Sequence, residues 1–385
     1  MPMTDKYLFK KGFILGFILA SLACILAILP YIKMIQKVNA INSVIAKNYM
    51  GKINEKKVKD LYNGMFDALD EYSCYYTKKD FKELTDSFSG NYCGIGVVTS
   101  YSDNLNHMII REVYDNTPAK LAGLKKDDEI VAINGKSTSN LKDIDAASAK
   151  MKGKAGTKLK LSIVSHGIKK DIEIVRKNVD YKSTKVEIRN GIGYLKIYTF
   201  DEKAAKEVRK DVNYLKKHKI KKVILDLRNN PGGLVEETVH VLEDLVPKQK
   251  VLKTIDKKGK ETIYKMSTGK EPEFQYVLLI NEETASSAEI FASVMKNGKY
   301  ATLVGTPTYG KGVAQSIIPL YDGSGIKVTT EKWYDNKGNS INKKGIYPDI
   351  RVKYRYLGED EFEEDLSQDT QYLKAEEIIN ENSIK

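Results

Sequence analysis

Two groups with complementary chemistry stand close together in residues 281–315 (NEETASSAEIFASVMKNGKYATLVGTPTYGKGVAQ). One is a small-residue turn, Thr284-Ala285-Ser286-Ser287-Ala288, and the other a single lysine between glycines, Gly310-Lys311-Gly312. A serine hydroxyl attacks a peptide carbonyl only if a base takes its proton. A lysine is such a base when burial disfavours its charged form and brings its pKa towards neutrality. Gln315, four residues further on, is within reach to orient the amine by a hydrogen bond. Serine and lysine together are the candidate engine.

Such an engine needs a rigid mount. The apolar run 276–280 predicts a buried strand, and the pattern after the turn predicts a helix. A turn between them lifts a hydroxyl off the strand and points the helix N-terminus at it. The unpaired amides there carry partial positive charge, which suits a developing oxyanion. A second loop, Arg228-Asn229-Asn230-Pro231-Gly232-Gly233, follows a strand over 222–227 and opens a helix over 234–245. Its paired glycines let the backbone turn amides towards a reacting carbonyl. Further strands over 191–200 and 301–304 and a helix over 201–217 continue the alternation. Apolar strands alternating with helices argue for an α/β core, with activity at the carboxyl ends of the strands.

The segment resembles the carboxyl-terminal processing peptidases, tail-specific serine proteases with a Ser-Lys dyad. Their pattern is roughly S-A-S-E-[IV] at the nucleophile and F-G-K-G-x-x-Q at the base. Ser286-Ser287-Ala288-Glu289-Ile290 exchanges the small residues after the nucleophile, and Tyr309-Gly310-Lys311-Gly312-Val313-Ala314-Gln315 carries Tyr for Phe. Counting back from Glu289, the resemblance makes Ser286 the nucleophile and Ser287 the residue most easily confused with it. It implies a crotonase/ClpP-like core over 178–355, Lys311 as base and Gln315 as its orienting partner. One glycine of the pair Gly232 and Gly233 would share the oxyanion hole with the Ser287 amide, and which one stays open.

Residues 78–177 resemble a PDZ domain. The series is Gly94-Ile95-Gly96-Val97, then Thr117-Pro118-Ala119, Ala122-Gly123-Leu124, Asp128-Glu129-Ile130 and the tight-turn pair Asn134-Gly135. The loop Gly94, Ile95, Gly96, Val97 matches the one whose amides hold a peptide's terminal carboxylate. Protein or peptide substrates with free C-termini are the implied partners.

At the N-terminus, residues 12–32 carry no charge, with Lys6, Lys10 and Lys11 before them and Lys33 and Lys37 after. About 20 apolar residues cross a bilayer as a helix, so residues 1–33 predict a cytoplasmic stub and a single-pass anchor. The basic leading flank places the catalytic part outside the cytoplasm, on a cell membrane. Residues 34–77 show helical periodicity, and residues 356–385 form an acidic tail, then a helix over 370–380.

The composition is that of a globular protein of two or three domains: 385 residues, 42% hydrophobic and 30% charged. The net charge of +12 is scattered in lysine pairs rather than gathered in an aromatic-laced stripe, which argues against nucleic acid as a partner. Cys24, Cys74 and Cys93 form no C-x-x-C, and the four histidines lack metal-ligand spacing, so no metal site or cofactor is implied. Two decoys share the stretch. Gly305 to Lys311 satisfies G-x-x-x-x-G-K, but Gly312 stands where a phosphate-binding loop needs Ser or Thr. Ser293-Val294-Met295-Lys296 is an S-x-x-K without a K-T-G partner, and is read as helix surface. Neither the substrate nor the copy number is legible, and a homo-oligomer is left open.

Overall fold

The computed structural model describes residues 29, 31–41, 43–45, 47–48, 50, 55–88, 92–102, 105–139, 150–179, 182–357 and 365–381. They divide into two units, Met1–Tyr62 and Asn63–Lys385. In the first, residues 31–41 are helical, and Tyr31, Ile32, Met34 and Ile35 are exposed. No helix among the described residues is long and apolar enough to cross a membrane. Residues 12–28, the bulk of the predicted anchor, lie outside the described residues.

The helical periodicity expected through residue 77 stops earlier. Helix α1 (Glu55–Phe66) is followed by a turn in which Asp70 Oδ1 accepts the N–H groups of Tyr72 and Ser73 at 2.9 and 2.8 Å. Cys74-Tyr75-Tyr76 then extends as strand β1 (Cys74–Tyr76). Aromatic residues fit a pleated, half-buried surface, and this one is offered a ladder partner far along the chain. Helix α2 (Lys78–Phe88) follows, inside the range read from sequence as the start of the PDZ unit.

The β-domain comprises β2 (Tyr92–Gly94), β3 (Val97–Ser102), β4 (His107–Val113), β5 (Glu129–Ile133), β6 (Lys136–Ser137), β7 (Lys158–Ser165), β8 (Ile168–Val175) and β9 (Lys177–Val179). A short helix, α3 (Pro118–Leu121), is N-capped by Thr117. The main sheet runs β3-β4-β5-β7-β8, with β6 on β5, and β2 pairs with β9. Leu159, Leu161 and Ile163 alternate into a core with Met108, Ile110 and Ile130, the period of two that one buried face requires.

The α/β core comprises β10 (Thr184–Arg189), β11 (Ile192–Ile197), α4 (Ala204–Lys217), β12 (Lys222–Asp226), α5 (Val235–Leu245), β13 (Lys250–Asp256), β14 (Glu261–Lys265), β15 (Gln275–Ile280), α6 (Ser287–Asn297), β16 (Ala301–Gly305), β17 (Val313–Pro319), β18 (Gly325–Asp335), β19 (Ile350–Arg351) and α7 (Thr370–Glu381). One sheet runs β10-β11-β12-β15-β16-β19, parallel from β11 onward. Tyr276, Leu278 and Ile280 of β15 face the cluster formed with α4, α5 and α6. Val277 and Leu279 face the opposite cluster, closed by Tyr372, Ala375 and Ile379 of α7. Burial on both faces explains the continuous apolar run. Each fully buried side chain contributes roughly 1.5–3 kcal/mol relative to exposure, so the strand beneath the serine turn is anchored from both sides. A second sheet, β1-β18-β13-β14 with β17 on β18, carries the lysine-bearing segment and receives β1.

Candidate active site

Strand β15 ends at Ile280, and the chain turns into α6 through residues 281–286. The turn is bolted to the loop after β12. Thr284 Oγ1 donates to the Leu227 carbonyl at 2.8 Å, Ala285 N–H to the Asn230 carbonyl at 3.0 Å, and Asn281 Nδ2 to Asn229 Oδ1 at 2.7 Å. At its apex Ser286 has φ 56° and ψ −122°, a sparsely populated conformation for a residue with a side chain. A sharp strand-to-helix turn of this kind pushes the serine out of the sheet.

Lys311 lies in the segment that leads into β17. Gly310 and Gly312 flank it because there is no room for side chains. A Cβ on Gly310 would lie 2.9 Å from the amides of Lys344 and Gly345, and one on Gly312 2.6 Å from Asn342. The Trp333 indole N–H donates to the Lys311 carbonyl at 2.8 Å, fixing the segment from β18. Lys311 Nζ lies 4.9 Å from the centroid of the Tyr72 ring. Gln315 Nε2 donates to Thr329 Oγ1 at 3.1 Å.

The residue that unites the two segments is Glu289, fully buried in the first turn of α6. Its Oε2 accepts from Ser286 N–H and from Lys311 N–H, each at 2.9 Å. Its Oε1 accepts from Gly310 N–H at 2.7 Å and from the Thr308 hydroxyl at 2.6 Å. Burial pushes its carboxyl above the usual carboxylate range, although all these donors favour the anion. From sequence Glu289 was only a register mark for the serine. The Ser286-x-x-Glu289 spacing, a capping-box pattern at a helix start, was the signal that could have exposed it. The same bonds answer the phosphate-loop decoy, since the Gly310 and Lys311 amides already serve a carboxylate. Ser293 is 1% exposed and donates to the Ile290 carbonyl, so it is not a surface residue. Helix α6 is sunk between the sheets along that face, and Lys296 reaches out to the Tyr347 carbonyl.

The glycine pair divides. Gly232 is buried against the serine turn, where an added Cβ would lie 2.9 Å from Ser286 Cβ and Ser287 N, and its amide donates to Asn230 Oδ1 at 2.8 Å. Gly233 is exposed. Among the described residues its amide has no acceptor, and neither has that of Ser287. The Ser287 hydroxyl is buried without a hydrogen-bond partner.

Behind the turn, Asp226 and Arg228 are buried and joined by Arg228 Nη2 to Asp226 Oδ2 at 2.6 Å, and Arg228 Nη1 continues to Asp369 at 2.5 Å. Burial pushes the Asp226 carboxyl up, but the Arg228 charge and its bonds outweigh that and hold it below the usual range.

In the β-domain, Ala119 N–H donates to the Ile95 carbonyl at 2.8 Å and Tyr114 N–H to the Gly96 carbonyl at 3.0 Å. The carbonyls of Ile95 and Gly96 are thereby held, while the amides of the same two residues have no acceptor among the described residues. Strand β4 also touches the core. Arg111 Nη2 donates to Glu283 Oε1 at 2.8 Å, three residues before Ser286, and the buried Glu112 pairs with Lys196 of β11.

Comparison with known proteins agrees with this architecture. Residues 191–352 match the model of peptidase family S41, and residues 109–165 that of a PDZ domain. The chain is 32% identical over 330 residues to the carboxy-terminal processing protease CtpB of Bacillus subtilis, covering 83% of this chain and 68% of that one. It is 33% identical over 308 residues to a carboxy-terminal-processing protease of Bartonella bacilliformis, covering 78% and 70%. A solved photosystem II D1 C-terminal processing protease has the same fold, with a TM-score of 0.65 at 22% identity over 83% of this chain and 88% of that one. Shared sequence over most of both partners, with an S41 core and a PDZ domain in one chain, makes this protein a member of the carboxy-terminal processing proteases, which are serine peptidases.

Proposed function

We infer that the chain is a serine endopeptidase working through Ser286 and Lys311, and that the observation carrying this is the Glu289 carboxylate. One buried side chain holds the Ser286 amide and the Gly310 and Lys311 amides, so the serine turn and the lysine segment form a single rigid unit. In the mechanism, neutral Lys311 takes the proton of the Ser286 hydroxyl as its oxygen attacks the peptide carbonyl. The tetrahedral oxyanion is met by the Ser287 amide at the N-terminus of α6 and by Gly233. The Gly232 amide is committed to Asn230, which leaves Gly233 as the donor and Gly232 as the residue small enough to abut the turn. One such donor contributes on the order of 10²–10³ in rate. Protonated Lys311 then gives its proton to the leaving amine, and water releases the acyl group from Ser286 by the reverse path. Gln315, bonded to Thr329 across the β17–β18 ladder, braces the strand into which the Lys311 segment leads.

The substrates are proteins offering a free C-terminal carboxylate to the Ile95 and Gly96 amides. The uncharged run over residues 12–32 anchors the chain in a membrane, with the peptidase on the extracytoplasmic side. Digestion of an unstructured protein by the full chain tests the peptidase reading. The wild type cleaves, Ser286→Ala and Lys311→Ala do not while remaining folded, and cleavage by a folded Lys311→Ala would sink it.

A further inference from the structure

Lys311 has a neighbour that the serine–lysine chemistry does not use. Its Nζ lies 4.9 Å from the centroid of the Tyr72 ring, within the range at which an aromatic face attracts an ammonium. Tyr72 is held firmly there. Asp70 Oδ1 takes its N–H, Ser73 Oγ accepts the Thr329 N–H at 3.1 Å, and β1 extends the attachment along β18. Tyr309 and Glu71 stand beside the Tyr72 hydroxyl. Burial, with those two neighbours, raises its pKa well above the ordinary phenol value, so the ring meets the lysine as a neutral π face.

We propose that Tyr72 is the positioning residue of the base: its ring holds the Lys311 ammonium in place and, by favouring the charged form, sets the pH above which the amine accepts a proton. This rests on the reading of Lys311 as general base. Other charged and titratable groups stand around the segment. Glu289 takes main-chain N–H groups, and Lys343 and Lys344 close over Gly310 through their backbone. Glu331 and Lys332 stand opposite Ala314 and Val313 in the β17–β18 ladder, while Glu71 and Tyr309 address the Tyr72 hydroxyl. A Tyr72→Phe change keeps the ring and removes only the hydroxyl that Glu71 and Tyr309 address. Tyr72→Leu removes the ring.

The test is the pH dependence of inactivation of the full chain by a fluorophosphonate, alongside kcat/KM for an unstructured protein substrate. In Tyr72→Leu the acidic limb moves to lower pH by roughly half to one unit, and the plateau falls as the amine loses its seat. In Tyr72→Phe the limb stays at the wild-type position. A lowered plateau with an unmoved limb in Tyr72→Leu would mean a merely structural residue and overturn the proposal. An equal shift in Tyr72→Phe would overturn it too, by assigning the effect to the hydroxyl. If Tyr72→Leu melts below the assay temperature, Tyr72→Trp decides, because its stronger π face moves the limb to higher pH; an unmoved limb overturns the proposal equally. Lys311→Ala runs in parallel. Undiminished inactivation there removes Lys311 as base, whereas its loss together with unmoved limbs in the Tyr72 variants removes the Tyr72 proposal alone.

Discussion

Glu289 shows how one side chain can turn two sequence motifs into one site. A carboxylate with no exposed surface is tolerated because its acceptor sites are met by donors from Ser286, Thr308, Gly310 and Lys311. Glu289→Gln keeps the shape but turns one of the oxygens into a donor facing donors. An unsatisfied buried polar group costs about 1–3 kcal/mol, so the variant should unfold several degrees lower and lose about 100-fold in kcat. A thermal melt and steady-state cleavage check this, and wild-type behaviour in both would contradict it. The neighbouring Ser287 makes the opposite prediction. Its hydroxyl is buried and unpartnered, while its proposed role needs only the backbone amide. Ser287→Ala should therefore gain about 1 kcal/mol of stability with kcat/KM unchanged; a loss of activity comparable to that of Ser286→Ala would refute the assignment. At this scale the sequence displayed the serine turn and Gly310-Lys311-Gly312, because small residues and glycines advertise tight backbone. The Glu289 partners stayed hidden, since a bond from residue 289 to residues 308–311 depends on how α6 lies against β17.

The strands of the core were legible because burial on both faces leaves long apolar runs. The strand expected over 276–280 is found over Gln275–Ile280, and the one expected over 301–304 over Ala301–Gly305. Strand β1 was missed. Its residues continue a helical periodicity, and only pairing with β18, some 250 residues away (Cys74 with Lys327), makes them extended. The Asp226–Arg228 pair was equally silent. Asp226 in the folded chain has a pKa below its unfolded value of 3.8. Its contribution to stability is thus complete above pH 3.8 and lost as the pH falls through the lower, folded value. Asp226→Asn leaves Arg228 with Asp369 but breaks a buried pair, costing about 3 kcal/mol near neutrality. Denaturant titrations from neutral pH downward should show the gap between wild type and variant narrowing below about pH 4. A gap independent of pH would mean that the Asp226 charge is not what stabilises this loop.

The whole second unit joins a PDZ domain to the peptidase core through Arg111–Glu283 and Glu112–Lys196. If the Ile95 and Gly96 amides read a terminal carboxylate, amidating a substrate's last residue removes the anion they hold. A tail ending in a free apolar residue should then be cleaved at least about tenfold faster than its amidated twin, one lost charge-assisted hydrogen bond being sufficient. Equal rates measured on otherwise identical substrates would leave the PDZ domain no role as a tail reader. The PDZ domain itself was legible from its Gly, Pro-Ala and Asn-Gly series, whereas the ion pairs that mount it on the core were not, because surface charges carry no pattern that names their partners. At the centre of the molecule stands the proposed pairing of Ser286 as nucleophile with Lys311 as its base. Its most direct test is fluorophosphonate treatment of the full chain, with the adduct mapped by mass spectrometry. The predicted result is a single adduct on Ser286, formed at least about 100-fold more slowly in Lys311→Ala; an adduct on Ser287, or undiminished labelling of the Lys311→Ala variant, would contradict it.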